Sequence, residues 1–182
     1  MEKINPAHCY NWFAVYVKSR AEKKAQTELQ AKDIETFLPV QSKLRQWSDR
    51  KKWVEMPLIP GYLFVRICRK EYDSVLQSNY VVSYVRFEGT AAIIPDNQID
   101  YLKLMLKQEN LDIEITRENL ELGQMIEVIR GPLIGLRGKL VRINGKNKVA
   151  IELNGLGYSA LVEILADDIH VSRNEPELIA DY

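Results

Sequence analysis

The sequence predicts two units of different class: an α+β N-terminal domain, an antiparallel sheet flanked by helices, and a small all-β barrel behind it. Three observations carry this. Apolar runs of strand and helix type alternate in the order β-α-β-β-β-α-β-α over the first hundred or so residues. Seven of the nine glycines then fall between Gly123 and Gly157, among short apolar runs. The net charge of zero is also unevenly spread. Residues 10–107 hold 16 Lys/Arg against 11 Asp/Glu, and residues 108–182 hold 8 against 13. A basic front half and an acidic back half suggest separate tasks, the first favouring polyanions.

The first strand is Asn11 to Val17, rich in aromatic and β-branched residues. Arg20 to Lys32 reads as a helix whose Ala21, Ala25 and Leu29 share one narrow face. Arg20, Lys23, Lys24 and Thr27 fall on the other side. A second strand runs from Ile34 to Val40. Lys43 to Met56 is polar, basic and aromatic, as an extended hairpin or mobile loop would be. Basic residues surround Trp47 and stop at Trp53, a pattern that suits phosphate pairing with base stacking and equally a flexible loop. Leu58 to Ile67 is the strongest strand, with Pro60 and Gly61 marking an edge, bulge or bend. Val81 to Phe87 is another strand. Pro95 and Asp96 open a helix that runs to about Lys107.

Residues 108–120 carry four acids against one Arg and read as a linker, partly helical at most. From 121 to 173 the short runs 125–129, 139–143, 148–153 and 158–165 alternate with turns at Gly131-Pro132, Asn144-Gly145 and Asn154-Gly155. Each glycine would cost ~1 kcal/mol inside a helix and Pro132 about 3, so this unit is expected to be β in the intact chain. Residues 174–182 read as an acidic tail.

The composition argues against several functions. Cys9 and Cys68 cannot build a disulfide framework or a structural zinc site. His8-Cys9 has no further ligands nearby, so no metal and no cofactor is expected. No run of 18 apolar residues exists, so no membrane span is expected, and the short polar start lacks the apolar core of a signal peptide. A cytoplasmic protein follows. His8 and His170 lie near the ends, and neither a Gly-rich phosphate loop nor Gly-x-Ser-x-Gly occurs. No catalytic residues are therefore assigned.

Two motifs point to a family. Ile126 to Gly138 (IEVIRGPLIGLRG) resembles the KOW motif of SH3-like barrels in ribosomal and transcription proteins, and Val162-Glu163-Ile164 resembles its later strand. Trp12-Phe13-Ala14-Val15 and Pro60-Gly61-Tyr62-Leu63-Phe64-Val65 resemble the opening and hallmark strands of the NusG N-terminal domain. Val85-Arg86-Phe87 and Ile93-Ile94-Pro95 look most like the RfaH-type and UpxY-type paralogues of polysaccharide operons. The resemblance covers residues 11–172 and implies an N-terminal domain at 10–107, a linker at 108–120 and a KOW domain at 121–173.

It also implies a transcription elongation or antitermination factor without catalysis. Tyr16, Pro60, Tyr62, Phe64 and Phe87 match positions that bind the clamp helices of the largest RNA polymerase subunit. Tyr62 and Phe64 share a strand face, so without the resemblance both would read as sheet core. Lys18, Arg20, Lys23 and Lys24 would reach non-template DNA; alternatively they are a solvated helix face. Leu133, Leu136 and Leu156 match places where the family binds a second partner, Rho or a small-subunit ribosomal protein. They could also plug the barrel ends. A monomer is expected. A ribosome-associated RNA-binding protein using the barrel alone is the other reading, opposed by the N-terminal Pro-Gly-Tyr-Leu-Phe-Val strand.

Overall fold

A computed structural model of the chain describes residues 10–46, 51–108, 111–117, 120 and 123–171. Strand β1 (Asn11–Val17) leads into helix α1 (Glu22–Gln30) and strand β2 (Glu35–Phe37). Strands β3 (Val40–Gln46) and β4 (Lys51–Pro57) form a hairpin of their own. Then come β5 (Tyr62–Ile67), helix α2 (Tyr72–Leu76) and β6 (Val81–Tyr84). The short β7 (Arg86–Phe87) and β8 (Thr90–Ala91) pair with each other, and β9 (Ile93–Ile94) precedes helix α3 (Asp96–Leu106). The central sheet has the order β2-β5-β1-β6, with β9 also on β1, and its pairs are antiparallel.

Alternation along β1 and β5 sends side chains to two cores. Val15, Val17, Leu63, Val65 and Ile67 pack with Ala25 and Leu29 of α1 and Val75 of α2. Ala21, Ala25 and Leu29 are all buried, as the helix periodicity predicts. The helix starts two residues later than expected because Arg20 sits at φ 57°, a left-handed conformation that cannot begin it. On the opposite face Trp12, Ala14, Tyr62 and Phe64 pack with Ile99, Leu102 and Met105 of α3. The expected strand 81–87 is split at Val85. The following β7–β8 turn places Glu88 and Gly89 at φ 51° and 85°, a tight reversal.

The C-terminal unit is all β, as its glycines and turns predict. Strands β10 (Ile113–Thr116), β11 (Met125–Val128), β12 (Arg137–Ile143), β13 (Lys146–Leu153), β14 (Tyr158–Glu163) and β15 (Ile169–Val171) form one sheet in the order β10-β14-β13-β12-β11-β15. Asn144 and Gly145, at φ 52° and 79°, close the β12–β13 hairpin.

The segment read as a linker also differs from the sequence reading. Residues 113–116, expected to lie in a linker and at most partly helical, are an edge strand whose Ile113 pairs with Val162 and Thr116 with Ser159. The cause is local. Ile-Glu-Ile-Thr alternates apolar with polar and is β-branched at three of four positions. Lys148, almost buried on β13, pairs with Glu114 at 2.6 Å and secures the strand.

Candidate functional site

The first site residues are set by a turn. Pro60 followed by Gly61 at φ 81°, with the Tyr62 N–H donating to the Ile59 carbonyl at 3.3 Å, is the arrangement of a type II turn. It delivers Tyr62 opposite Tyr16 in the β1–β5 register. Their rings lie 4.8 Å apart, and the Tyr62 hydroxyl donates to that of Tyr16 at 3.2 Å. Burial pushes the Tyr62 hydroxyl well above the ordinary tyrosine range, and the neighbouring Tyr16 and Tyr158 hydroxyls add to this. Tyr62 is therefore a neutral donor at any physiological pH.

The five residues expected to face a polymerase do not share one environment. Tyr16, Pro60 and Phe87 are exposed. Tyr62 is only 4% exposed because the barrel covers it, with the Tyr158 ring 5.6 Å away and edge-on. Phe64 is interior: it stacks on Phe37 at 6.0 Å and sits beneath α3. Sequence spacing puts Tyr62 and Phe64 on one face, but only the three-dimensional arrangement separates the seam from the core.

The seam between the two units joins some of these residues to others that the sequence reading did not assign to a site. Arg117 lies over the Tyr158 ring at 4.2 Å and donates through Nη2 to the Tyr62 hydroxyl at 3.2 Å. The Asn154 N–H donates to the Gln98 side chain at 2.9 Å. At Gly155 the barrel backbone comes so close that an added Cβ would lie 2.7 Å from the Ala92 Cβ and 3.5 Å from that of Phe87. Beside this contact an open cleft of about 640 Å³ is lined by Tyr16, Phe87, Arg86, Arg117, Leu156 and Tyr158, among others. For Tyr158 the signal was its place at the start of the short apolar run 158–165. Arg117, in a stretch expected to be linker, carried none.

The basic residues gather on another surface. Lys18, Arg20, Lys23 and Lys24 are all exposed around the start of α1. Lys23 pairs with Glu55 of β4 at 2.6 Å, and its hydrogen bond and charge hold the Glu55 carboxyl below its usual range. Lys24 lies 6.0 Å from the centre of the Tyr80 ring. Of the aromatic-basic stretch, Trp53 and its cross-strand neighbour Leu44 are 64% and 49% exposed, and Lys51 and Lys52 are exposed too. Trp47 and Arg50 lie outside the described residues.

The three barrel leucines are all buried. Leu136 is wholly inside the barrel core, Leu133 is 5% exposed, and Leu156 lies at the seam at 8%. Leu133 and Leu136 flank a turn whose outermost apolar residue is Ile134, 62% exposed. Among the described residues no three His, Cys, Asp or Glu side chains are grouped to hold a metal ion, and no helix is long and apolar enough to cross a membrane. His8 and Cys9 lie outside the described residues, as does the tail at 174–182.

The family model described as transcription termination factor nusG matches residues 10–103. The chain belongs to the NusG family. It is similar to the transcription termination/antitermination protein NusG of Streptococcus pyogenes serotypes M3 and M1, at 23% identity over 158 residues, 85% of this chain and 88% of each relative. Among solved structures it is similar to one described as domain interaction in Thermotoga maritima NusG. That match has 20% identity and a TM-score of 0.49, and covers 92% of this chain and 99% of the other. NusG-family proteins are non-enzymatic transcription factors that interact with RNA polymerase, and membership makes the chain a transcription elongation/termination factor.

Proposed function

We propose that this NusG-family chain binds the clamp helices of the largest RNA polymerase subunit through the Tyr16, Tyr62 and Phe87 edge of its N-terminal domain. Pro60 shapes the turn beside that edge, and Phe64 supports it from within. The observation that carries the reading is the Tyr16–Tyr62 pair beside an exposed Phe87 at the edge of an otherwise closed apolar core. Aromatic side chains with polar tips are the usual anchors of such an interface. Lys18, Arg20, Lys23 and Lys24 would follow the exposed non-template strand, adding a salt-dependent contact. The factor would suppress pausing or termination at particular operons, as a specialised paralogue of the RfaH or UpxY type, and the barrel would recruit Rho or a small-subunit ribosomal protein.

Because Tyr62 lies beneath Tyr158, docking of the clamp helices at Tyr62 requires the barrel to move off the seam. The test is binding of purified core polymerase by the intact protein, with a competing peptide pair made from the clamp helices. Submicromolar binding abolished by the competitor supports the reading. Binding to ribosomal RNA in its place would favour the ribosome-associated alternative.

A further inference from the structure

Glu22 is a carboxylate with 8% of its residue surface exposed, and among the described residues it forms no ion pair. Burying a carboxylate is costly unless it is hydrogen-bonded. An acid in the first turn of α1 would favour the helix dipole equally well while pointing to solvent, so the helix alone does not require the burial. The side chain instead reaches across to the turn before β5, where the Gly61 N–H donates to Glu22 Oε1 at 2.9 Å. The Gly61 carbonyl accepts from the Val17 N–H at 2.9 Å. The turn is thus held from β1 through its carbonyl and from α1 through its amide.

That amide belongs to the peptide joining Pro60 to Gly61, the central peptide of the turn. Type I and type II turns differ by a half-rotation of this peptide, and only type II needs the positive φ found at Gly61. An acceptor fixed on one side of the N–H selects one orientation. We infer that Glu22 is a positioning residue for the polymerase-facing edge: it locks the Pro60–Gly61 peptide and thereby sets Tyr62 against Tyr16. It also ties that edge to the helix bearing Lys23 and Lys24, so the two proposed contact surfaces share one anchor. The inference rests on the polymerase reading above for its consequence, though not for its geometry.

The test uses the intact protein with Glu22→Ala, Glu22→Gln and Gly61→Ala. The glutamine keeps an Oε1 acceptor. At Gly61 an added Cβ meets nothing within 4 Å, so alanine there only penalises the positive φ. In Glu22→Ala the Gly61 amide proton should shift upfield and exchange at least tenfold faster, and core polymerase should bind about tenfold more weakly. Glu22→Gln should restore both to within about twofold, and Gly61→Ala should reproduce the loss without adding to it. In a Tyr62→Ala background, Glu22→Ala should weaken binding no further. An unchanged Gly61 amide in Glu22→Ala overturns the inference, as does an equal loss of affinity with and without Tyr62. If the unmodified protein does not bind polymerase, the functional reading fails while the Gly61 amide still decides the role of Glu22.

Discussion

The Arg117 guanidinium, at the end of β10, lies 4.2 Å over the ring of Tyr158 on the paired strand β14. The same side chain donates to Tyr62. That hydrogen bond from a charged donor crosses from the barrel to the N-terminal domain, and the substitution removes it. Arg117→Ala should therefore loosen the seam without unfolding either unit. We expect a larger radius of gyration by small-angle scattering and a several-fold gain in polymerase affinity, because the competing barrel is released more readily. A larger radius with weaker binding would mean that Arg117 contacts the polymerase itself.

Phe87 gives the cleanest test of the edge, since it is 57% exposed and lies on a two-residue strand. Phe87→Ala should lower the thermal midpoint by no more than about 2 °C, as surface changes do. Loss of an interface anchor costs ~2 kcal/mol or more, on the order of thirtyfold in Kd. Titration of labelled polymerase with the two proteins reads the difference. Equal Kd values would remove Phe87 from the interface.

The α1 surface makes a separate prediction. Lys23 and Glu55 are 64% and 56% exposed, so their pair contributes little to folding despite its short distance. The depressed Glu55 carboxyl can stabilise the fold only above its unfolded pKa, and that small contribution fades as pH falls through the folded value. Lys23→Glu with Lys24→Glu should leave the neutral-pH midpoint nearly unchanged. It should reduce cross-linking to non-template DNA in the elongation complex and flatten the salt dependence by roughly 0.7 log units per lost phosphate contact. Binding to isolated clamp helices should persist. If that binding falls as well, the surface touches the polymerase.

What could be read in advance was local. Ala21, Ala25 and Leu29 recur at helical spacing and are buried, and Asn144-Gly145 closes a hairpin because both residues tolerate positive φ. Strand β10 was hidden because the acids around it dominate the composition of 108–120, while its pairing partner β14 lies more than forty residues downstream. The seam was hidden for the same reason. Nothing local distinguishes Tyr62, which meets the barrel, from Phe64, which meets Phe37. The barrel leucines show the limit of matching by position. Leu136 was expected at a partner contact from the resemblance, and the structure buries it wholly in the barrel.

Gly138 offers a test of the barrel itself. It pairs with Ile126 on β11, and a Cβ there would lie 2.6 Å from the Ala150 carbonyl oxygen, 2.7 Å from Val149 Cγ1 and 2.8 Å from Ile151 Cδ1. Two of these obstacles are side chains that could turn. The third is backbone of the neighbouring strand, so relief requires β12 and β13 to separate locally. Overpacking of this kind typically costs 1–3 kcal/mol. Gly135→Ala is the control, because its φ of 85° is strained for alanine while the space around it is empty. That substitution should cost ~1 kcal/mol. The chain has two units, so the loss is best read amide by amide. Gly138→Ala should speed hydrogen exchange along β12 and β13 about ten- to a hundredfold and leave β1, β5 and α1 unchanged. If exchange instead accelerates equally in both units, the shared core around Tyr62 makes them unfold as one, and the barrel cannot leave the seam while remaining folded.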